Sequence, residues 1–147
     1  MSNNIKKSVK YLVNKYDTRN PEKIAEGEGI EIIHKPYSKG TKGYFISVND
    51  RKHIVLNDSL DSDTMKVVLS HELGHAIHHN DHNIYFIREH TFLSTKVYED
   101  EANEFAAELL IDDDDLDEIA LKDMSIEQVS KCLKVTPELV EYKIKKK

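Results

Sequence analysis

The hydrophobic residues near the start of the chain recur at the three- and four-residue spacing of an amphipathic helix. These apolar positions are Ile5, Val9, Leu12 and Val13. They predict a first helix over Ile5–Lys15. A second, shorter helix is expected from Asn20-Pro21 to about Glu26, because an asparagine cap followed by proline is a typical helix start, and Gly27 and Gly29 are stop signals.

The pattern then changes to short β-branched and aromatic runs separated by turn residues. The runs are Ile30–Ile33, Gly43–Val48 and His53–Asn57. They predict a small sheet of about three strands. Helical spacing returns after Asp61-Ser62-Asp63, whose side chains suit the N-terminal cap and dipole of a helix. The predicted order α-α-β-β-β-α-α, with more helix to follow, indicates an α+β fold whose small sheet packs on the third helix.

Length and composition are those of one compact domain. A chain of 147 residues with 39% hydrophobic residues can bury a core, so we expect a single domain over residues 1–147. The sequence has neither an apolar run of membrane-spanning length nor a charged start followed by an apolar signal core, which predicts a cytoplasmic protein without membrane contact. The single cysteine, Cys132, excludes an internal disulfide. Its apolar neighbours predict a small core residue.

The third predicted helix contains two histidines four residues apart, in the run Leu69-Ser70-His71-Glu72-Leu73-Gly74-His75. Positions i and i+4 lie one above the other on a helix, so His71 and His75 can present two nitrogens to one metal ion. Glu72 lies about 100° around the helix from His71, which suits a general base beside the metal. The apolar stripe on the opposite face is Met65, Leu69, Leu73 and Ala76. This stripe predicts a buried helix, where an accidental motif is less expected than on a solvated one.

A catalytic zinc needs a third protein ligand, and the candidates are Glu99 and Glu101. Helical phase places Glu99 on the buried side of the next helix with Asn103, whereas Glu101 falls with Glu104 and Glu108 on an acidic face. A buried carboxylate is costly unless it is paired or bound to metal. Glu99 is therefore the predicted ligand. Glu101 is expected to be solvated, so that Glu101→Ala should leave the zinc affinity nearly unchanged. Asn103 could hold a histidine ring or the Glu99 carboxylate, or be a polar residue on the helix surface.

Together these motifs resemble the ImmA/IrrE family of small metallopeptidases. The resemblance is carried by His71-Glu72-Leu73-Gly74-His75, by Glu99-x-Glu101-Ala102-Asn103-x-Phe105-Ala106-Ala107-x-Leu109-Leu110, and by the runs Gly43–Ile46 and His53–Asn57. It implies a minimal zincin-like catalytic core over about residues 24–111, followed by a helical C-terminal region, 116–147. In the wider gluzincin group, zinc is held by the two histidines and by a glutamate followed four residues later by an acidic or amide residue. That pattern carries over onto Glu99 and Asn103.

The resemblance also implies a function: a zinc-dependent endopeptidase that cleaves a helix-turn-helix repressor of a mobile element, prophage or stress response. Glu72 would accept the proton of the attacking water and return it to the departing amine. The alternative is a non-proteolytic, zinc-containing binding module or antitoxin-like partner. In that case Glu72 would be dispensable, while His71 and His75 would not.

The group that would stabilise the developing oxyanion stays open. The candidates are Tyr44, His53, His82, Tyr85 and His90. The more ordinary role for Tyr85 is to attach its loop to the core. His78 and His79 are expected to form the polar end of the motif helix, where cations are favourable.

The sequence after Ile111 changes to six acids and one leucine over Asp112–Glu118. This density of like charge predicts a solvated turn, with a weak divalent-ion site as the alternative. Ser125 and Thr136-Pro137 then begin two capped helices at helix-turn-helix spacing. DNA binding is disfavoured because the net charge is −6 and the basic residues of this region cluster only in Lys143–Lys147. The region is expected to serve packing or recognition of a protein partner, and the sequence gives no indication of the oligomeric state.

Overall fold

The computed structural model describes residues 2–37, 40–79, 96–120 and 122–145. The helices in these ranges are α1 (Ser2–Tyr16), α2 (Pro21–Gly27), α3 (Ser62–His78), α4 (Lys96–Leu110), α5 (Asp113–Ala120), α6 (Ile126–Leu133) and α7 (Pro137–Lys145). The strands are β1 (Glu31–Lys35), β2 (Gly43–Val48) and β3 (Arg51–Asn57). The predicted α+β class and order of elements are confirmed. None of the helices in these ranges combines the length and the apolar character needed to cross a bilayer.

The three strands form one sheet in the order β1-β3-β2. Strand β3 is central: its Ile54 lies opposite Ile32 of the parallel strand β1 and opposite Phe45 of the antiparallel strand β2. A two-residue turn, Asn49-Asp50, joins β2 to β3 with φ values of 51° and 64°. Positive φ at both positions is the hairpin geometry that matches the twist of the flanking strands. The second half of the central strand, from Ile54 to Asn57, is buried, and β1 and β2 form the two edges.

Helix α3 packs against this sheet and carries the two-histidine motif. It begins where the sequence predicts, because the Asp61 carboxylate accepts a hydrogen bond from the Thr64 backbone N–H at 2.7 Å. That hydrogen bond lowers the pKa of Asp61. Leu69 and Leu73 of the predicted apolar stripe are buried, and Met65 is partly buried against the same core. The motif therefore lies on a helix fixed by apolar packing.

Helices α3 and α4 approach closely at Gly74. A Cβ atom on Gly74 would lie 3.0 Å from Phe105 Cβ and 3.2 Å from Ala102 Cα. Phe105 and Ala102 are both fully buried. The absent side chain of Gly74 and the small one of Ala102 let the two backbones approach, which brings the first turns of α4 towards the histidines of α3.

Two hydrophobic clusters hold the elements together. The first includes Ile5, Val9, Leu12, Ile24, Phe45, Ile54, Leu69, Leu73, Phe105 and Leu109. The second consists of Ala106, Ala107, Ile111, Leu116, Ile119, Val129, Leu139 and Val140. Helix α4 contributes to both clusters, so the C-terminal helices pack on the helix that also carries Glu99. The predicted packing role of the C-terminal region is confirmed.

The acidic stretch after Ile111 is not the solvated turn that its charge predicts. Asp113–Ala120 is helix α5, and its Leu116 and Ile119 are buried in the second cluster. Three aspartates occupy the first turn, where negative charge is stabilised by the positive end of the helix dipole. The prediction was wrong because it was based on the charge density of the segment. The i, i+3 spacing of Leu116 and Ile119, which is typical of a helix, was given too little weight.

Helices α6 and α7 have the predicted caps. Ser125 and Gln128 form a capping box at the start of α6, and Lys134 ends that helix in the left-handed conformation, with φ of 61°. Cys132, predicted to be a core residue, is exposed. The reason is helical phase: Cys132 lies two positions after the buried Ser130 and so points almost away from it.

A buried ion cluster ties α7 to α4 and α5. Lys143 is only 3% exposed, and its Nζ lies 2.7 Å from Glu108 Oε1 and 2.7 Å from Asp113 Oδ1. A buried ammonium group is tolerated only when it is paired in this way. Glu108, predicted on a solvated acidic face, is therefore part of an internal ion pair. Glu104, predicted on the same face, is also buried.

Candidate metal centre

Three metal-binding side chains from two helices meet at one point. His71 and His75 come from α3 and Glu99 from α4, and their ligand atoms all lie within 4.8 Å of one another. Glu99 Oε2 is 2.9 Å from His71 Nε2, and Glu99 Oε1 is 3.2 Å from His75 Nε2. Both histidines thus turn Nε2 towards the same carboxylate. The structure brings together the three side chains that helical phase selected, and Glu101 is not a member of this group.

The Nε2 atom of His75 has the surroundings of a metal ligand. The side chain of His75 is 2% exposed, and among the described residues its Nε2 has no hydrogen-bond partner of acceptable geometry. Glu99 Oε1 approaches this nitrogen at 3.2 Å, which is an ion-pair distance, but not along a hydrogen-bond direction. Leaving a buried polar atom unsatisfied costs about 1–3 kcal/mol, so its presence needs a reason. A metal ion between the three side chains would satisfy it.

The donor set fits a particular class of ion. Two imidazole nitrogens and one carboxylate oxygen form the two-histidine, one-glutamate set found in catalytic zinc sites that keep a fourth position open. Softer ions favour sulfur ligands, while magnesium and calcium favour sites made only of oxygen. The residues present therefore fit zinc or a similar transition metal.

Burial and charge set the protonation of the metal-free cluster. Burial lowers the pKa of His75, so the ring is neutral near pH 7 and its nitrogen is free to bind metal. Burial acts in the same direction on His71, but its hydrogen bond with Glu99 and the negative charge of Glu72 outweigh burial and raise the pKa. Burial would raise the pKa of Glu99, yet its hydrogen bond with His71 and the close approach of His75 hold that pKa far below the ordinary range. The His71–Glu99 pair thus carries a proton that an incoming cation would displace.

Asn103 contacts the ring nitrogen of His71 that does not face Glu99. The distance from His71 Nδ1 to Asn103 Oδ1 is 2.8 Å. Because the amide oxygen only accepts, the ring proton lies on Nδ1 in the metal-binding tautomer and the Nε2 lone pair faces the cluster. Of the roles predicted for Asn103, the structure shows the contact with a histidine ring.

The contacts of Asn103 continue into the C-terminal helix α7. Asn103 Nδ2 lies 3.5 Å from Tyr142 Oη and 3.5 Å from Glu138 Oε1. The Tyr142 hydroxyl in turn donates to Asp100 Oδ1 at 2.7 Å. Neither Tyr142 nor Glu138 was predicted from the sequence to lie at the site. The only signal was their position on a helix with two adjacent apolar residues, Leu139-Val140, which indicates packing but names no partner.

His79 and Glu101 were both placed wrongly by the sequence analysis. His79 was expected at a polar helix end, but it is 2% exposed, and its Nδ1 lies 2.9 Å from His75 Nδ1. Glu101 was expected to be solvated, but its Oε1 lies 2.9 Å from His79 Nε2 and its side chain is 21% exposed. Although α3 ends at His78, residue 79 still lies one turn below His75. The buried ring then requires a polar partner, which Glu101 provides.

Two of the five oxyanion candidates, Tyr44 and His53, lie on strands β2 and β3. The Tyr44 hydroxyl lies 2.8 Å from the Tyr37 hydroxyl, and His53 Nδ1 lies 3.4 Å from Glu31 Oε1. Neither distance assigns Tyr44 or His53 to the metal centre. The remaining candidates, His82, Tyr85 and His90, lie outside the described residues.

Comparison with known proteins gives matches over most of the chain. The family model described as Peptidase_M78, IrrE N-terminal-like domain, matches residues 25–145. The "Uncharacterized immunity region protein 2" of Bacillus phage phi105 is 39% identical over 109 residues, which covers 74% of this chain and 69% of that protein. The family match includes both helices of the metal cluster. It also extends through α7, well beyond the residue near 111 where the resemblance seen in the sequence ended.

Proposed function

Because the chain belongs to the Peptidase_M78 family of IrrE N-terminal-like domains, we propose that it is a zinc-dependent endopeptidase with His71, His75 and Glu99 as metal ligands. The observation that carries this proposal is the meeting of these three side chains around the buried, unsatisfied Nε2 of His75. A family of peptidase type supplies the reaction class, and the cluster supplies a place for the metal. Glu101, the alternative third ligand, is instead engaged with His79.

Glu72 is the proposed catalytic base. It follows His71 on α3, and its negative charge raises the pKa of that histidine. A bound zinc supplies Lewis acidity, which activates a water molecule and polarises the carbonyl of the scissile peptide bond. Glu72 takes the proton of the water as its oxygen attacks the carbonyl carbon. It then passes that proton to the amide nitrogen as the C–N bond breaks, which leaves a carboxylic acid and an amine.

The proposed substrate is a helix-turn-helix repressor of a prophage or other mobile element. The support is the name of the relative, which places that protein in the immunity region of a phage. We extend this context to the present chain as a proposal. Such repressors work in the cytoplasm, so cleavage is proposed to take place there. The net charge of −6 favours docking of a basic or neutral surface of the substrate.

Substitution of Glu72 tests the reaction. The chain is coexpressed with a candidate helix-turn-helix repressor, and fragments are identified by intact-mass measurement. We expect Glu72→Gln to abolish cleavage while zinc content, measured by elemental analysis, stays at about one ion per chain. The matched control is Glu26→Gln, on an exposed position of α2, which should cleave normally.

Two outcomes would contradict the proposal. Cleavage at the normal rate by Glu72→Gln would remove the assigned base. Control of the repressor that survives Glu72→Gln without any cut, but is lost in His71→Ala, would instead indicate a zinc-containing binding module.

A further inference from the structure

A line of hydrogen-bonded side chains leads from His75 away from the metal cluster. His75 Nδ1 lies 2.9 Å from His79 Nδ1, and His79 Nε2 lies 2.9 Å from Glu101 Oε1. We propose that His79 and Glu101 form a positioning relay that fixes the tautomer and orientation of His75 for metal binding. This inference rests on the proposed role of His75 as a ligand and adds two residues to that site.

The atoms of the relay allow one arrangement of protons. To bind a metal through Nε2, His75 must carry its ring proton on Nδ1. That proton is donated to His79 Nδ1, which must therefore be the unprotonated nitrogen of a neutral ring. The His79 proton is then on Nε2 and is donated to Glu101, whose carboxylate can only accept. His75 Nδ1 and both ring nitrogens of His79 are then satisfied, and the lone pair of His75 Nε2 is left for a metal ion.

Burial makes this arrangement consequential. The side chains of His75 and His79 are 2% and 3% exposed, so water cannot replace a lost partner. The ring of Tyr98 packs edge-on against His79 at 4.9 Å between ring centroids and limits its rotation. The Glu101 carboxylate at the outer end favours the arrangement in which His75 donates its proton to His79 and His79 donates its proton to Glu101. This arrangement makes His75 Nε2 a stronger electron-pair donor to a cation.

The two histidine ligands are therefore held by different devices. His71 is hydrogen-bonded to the neutral amide of Asn103. His75 is hydrogen-bonded to a second imidazole, which in turn is hydrogen-bonded to a carboxylate. His71, His75 and His79 follow one another at four-residue intervals, so α3 and its C-terminal cap residue supply two ligands and the support of the second along one stripe. His78, the neighbour of His79, instead has its Nε2 2.6 Å from Ser8 Oγ of α1 and gives a matched control.

The test measures metal affinity in the full-length chain, with zinc in competition with a chromophoric chelator. A second readout is the visible spectrum of the cobalt(II)-substituted protein, which reports ligand geometry. We expect His79→Phe to weaken zinc binding by about 10–100-fold and to change the cobalt spectrum. His79→Gln should recover much of the affinity, because an amide can accept from His75 and donate to Glu101. His78→Phe should bind zinc like the unsubstituted chain.

A nearly isosteric change guards against misfolding as an explanation. Glu101→Gln keeps an acceptor oxygen but removes the charge, so it should weaken zinc binding less than His79→Phe, with the thermal unfolding of the metal-free protein little changed. Normal zinc affinity and an unchanged cobalt spectrum in both His79→Phe and Glu101→Gln, with strong loss in His71→Ala, would overturn the relay alone. Normal zinc affinity in His71→Ala as well would overturn the metal site and the proposed function with it.

Discussion

Replacing Gly74 with alanine would show whether the close approach of α3 and α4 positions Glu99. The added Cβ would meet Phe105 Cβ at 3.0 Å, Ala102 Cα at 3.2 Å and Phe105 Cγ at 3.2 Å. All three atoms are backbone or near-backbone atoms of α4, so no flexible side-chain end can move aside. Relief requires the two helices to separate by a few tenths of an ångström. Glu99 would move with α4 while His71 and His75 stay on α3.

The magnitude follows from two opposing effects. Overpacking a well-packed interior costs about 1–3 kcal/mol. Alanine is a better helix former than glycine by about 1 kcal/mol, which offsets part of that cost. We therefore expect Gly74→Ala to lower the free energy of unfolding by up to about 2 kcal/mol, and Gly74→Val, with two more methyl groups, to lower it further. Zinc affinity should fall several-fold in Gly74→Ala, because the carboxylate no longer reaches both histidines at the same distances.

Urea unfolding of the metal-free protein and zinc competition measure the two effects separately. The free energy of unfolding and the zinc affinity should fall together across the series from glycine to alanine to valine. If Gly74→Ala were instead more stable by about 1 kcal/mol, as propensity alone predicts, and bound zinc normally, the helix contact would not be as close as described. A loss of stability with normal zinc affinity would show that Glu99 is positioned by something other than this contact.

Three further predictions concern the ligands and the C-terminal helices. Glu99→Ala should lower zinc affinity by one or more orders of magnitude in chelator competition, and unchanged affinity would exclude Glu99 as a ligand. The pKa of Glu99 in the folded, metal-free chain lies well below its usual 4.5. The stability that Glu99 contributes is therefore complete above pH 4.5 and is lost as the pH falls towards the pKa of the folded state. When urea unfolding is followed from pH 6 to pH 3 in the presence of a chelator, the loss of stability should be shallower in Glu99→Gln. Lys143→Met leaves Glu108, whose side chain is only 12% exposed, without its cation. It should lower the free energy of unfolding by about 3 kcal/mol, near the low end for a broken buried pair because Asp113 is partly exposed. The double variant Lys143→Met/Glu108→Met should recover part of that loss, and equal stability of Lys143→Met and the unsubstituted chain would show that the pair contributes nothing.

Local periodicity was enough to predict most of the elements and the grouping of His71, His75 and Glu99. The spacing of His71 and His75, and the phase of Glu99 against the apolar side of its helix, depend only on 3.6 residues per turn. The same holds for the caps at Asp61 and Ser125, where a side chain bonds to a backbone group two or three residues away. Rules that act within one turn therefore transfer from sequence to structure.

Most of the errors on polar and charged side chains came from contacts between elements. Helical phase put Glu101 on the side of α4 away from the core, but it does not show that the end of α3 brings His79 to that side. Similarly, Tyr142 reaches Asp100 across a separation of 42 residues, and no pattern within α7 encodes that meeting. Glu108 was predicted to be solvated because its partner, Lys143, lies on another helix. Charged residues were thus the least predictable, since a distant counter-ion can make burial acceptable.

The proposed ligands come from only two helices, and the separation between His71 and Glu99 is 28 residues. Under the proposed zinc binding, the ion is a reversible cross-link that closes the intervening chain into a loop. Such a cross-link stabilises the folded state by mass action. Once free zinc exceeds the dissociation constant, the stabilisation grows with the logarithm of the ratio of the free zinc concentration to that constant. A folded state stabilised in this way opens less often and is degraded more slowly by other proteases. The lifetime of this peptidase in a cell, and not only its activity, would then follow the supply of zinc.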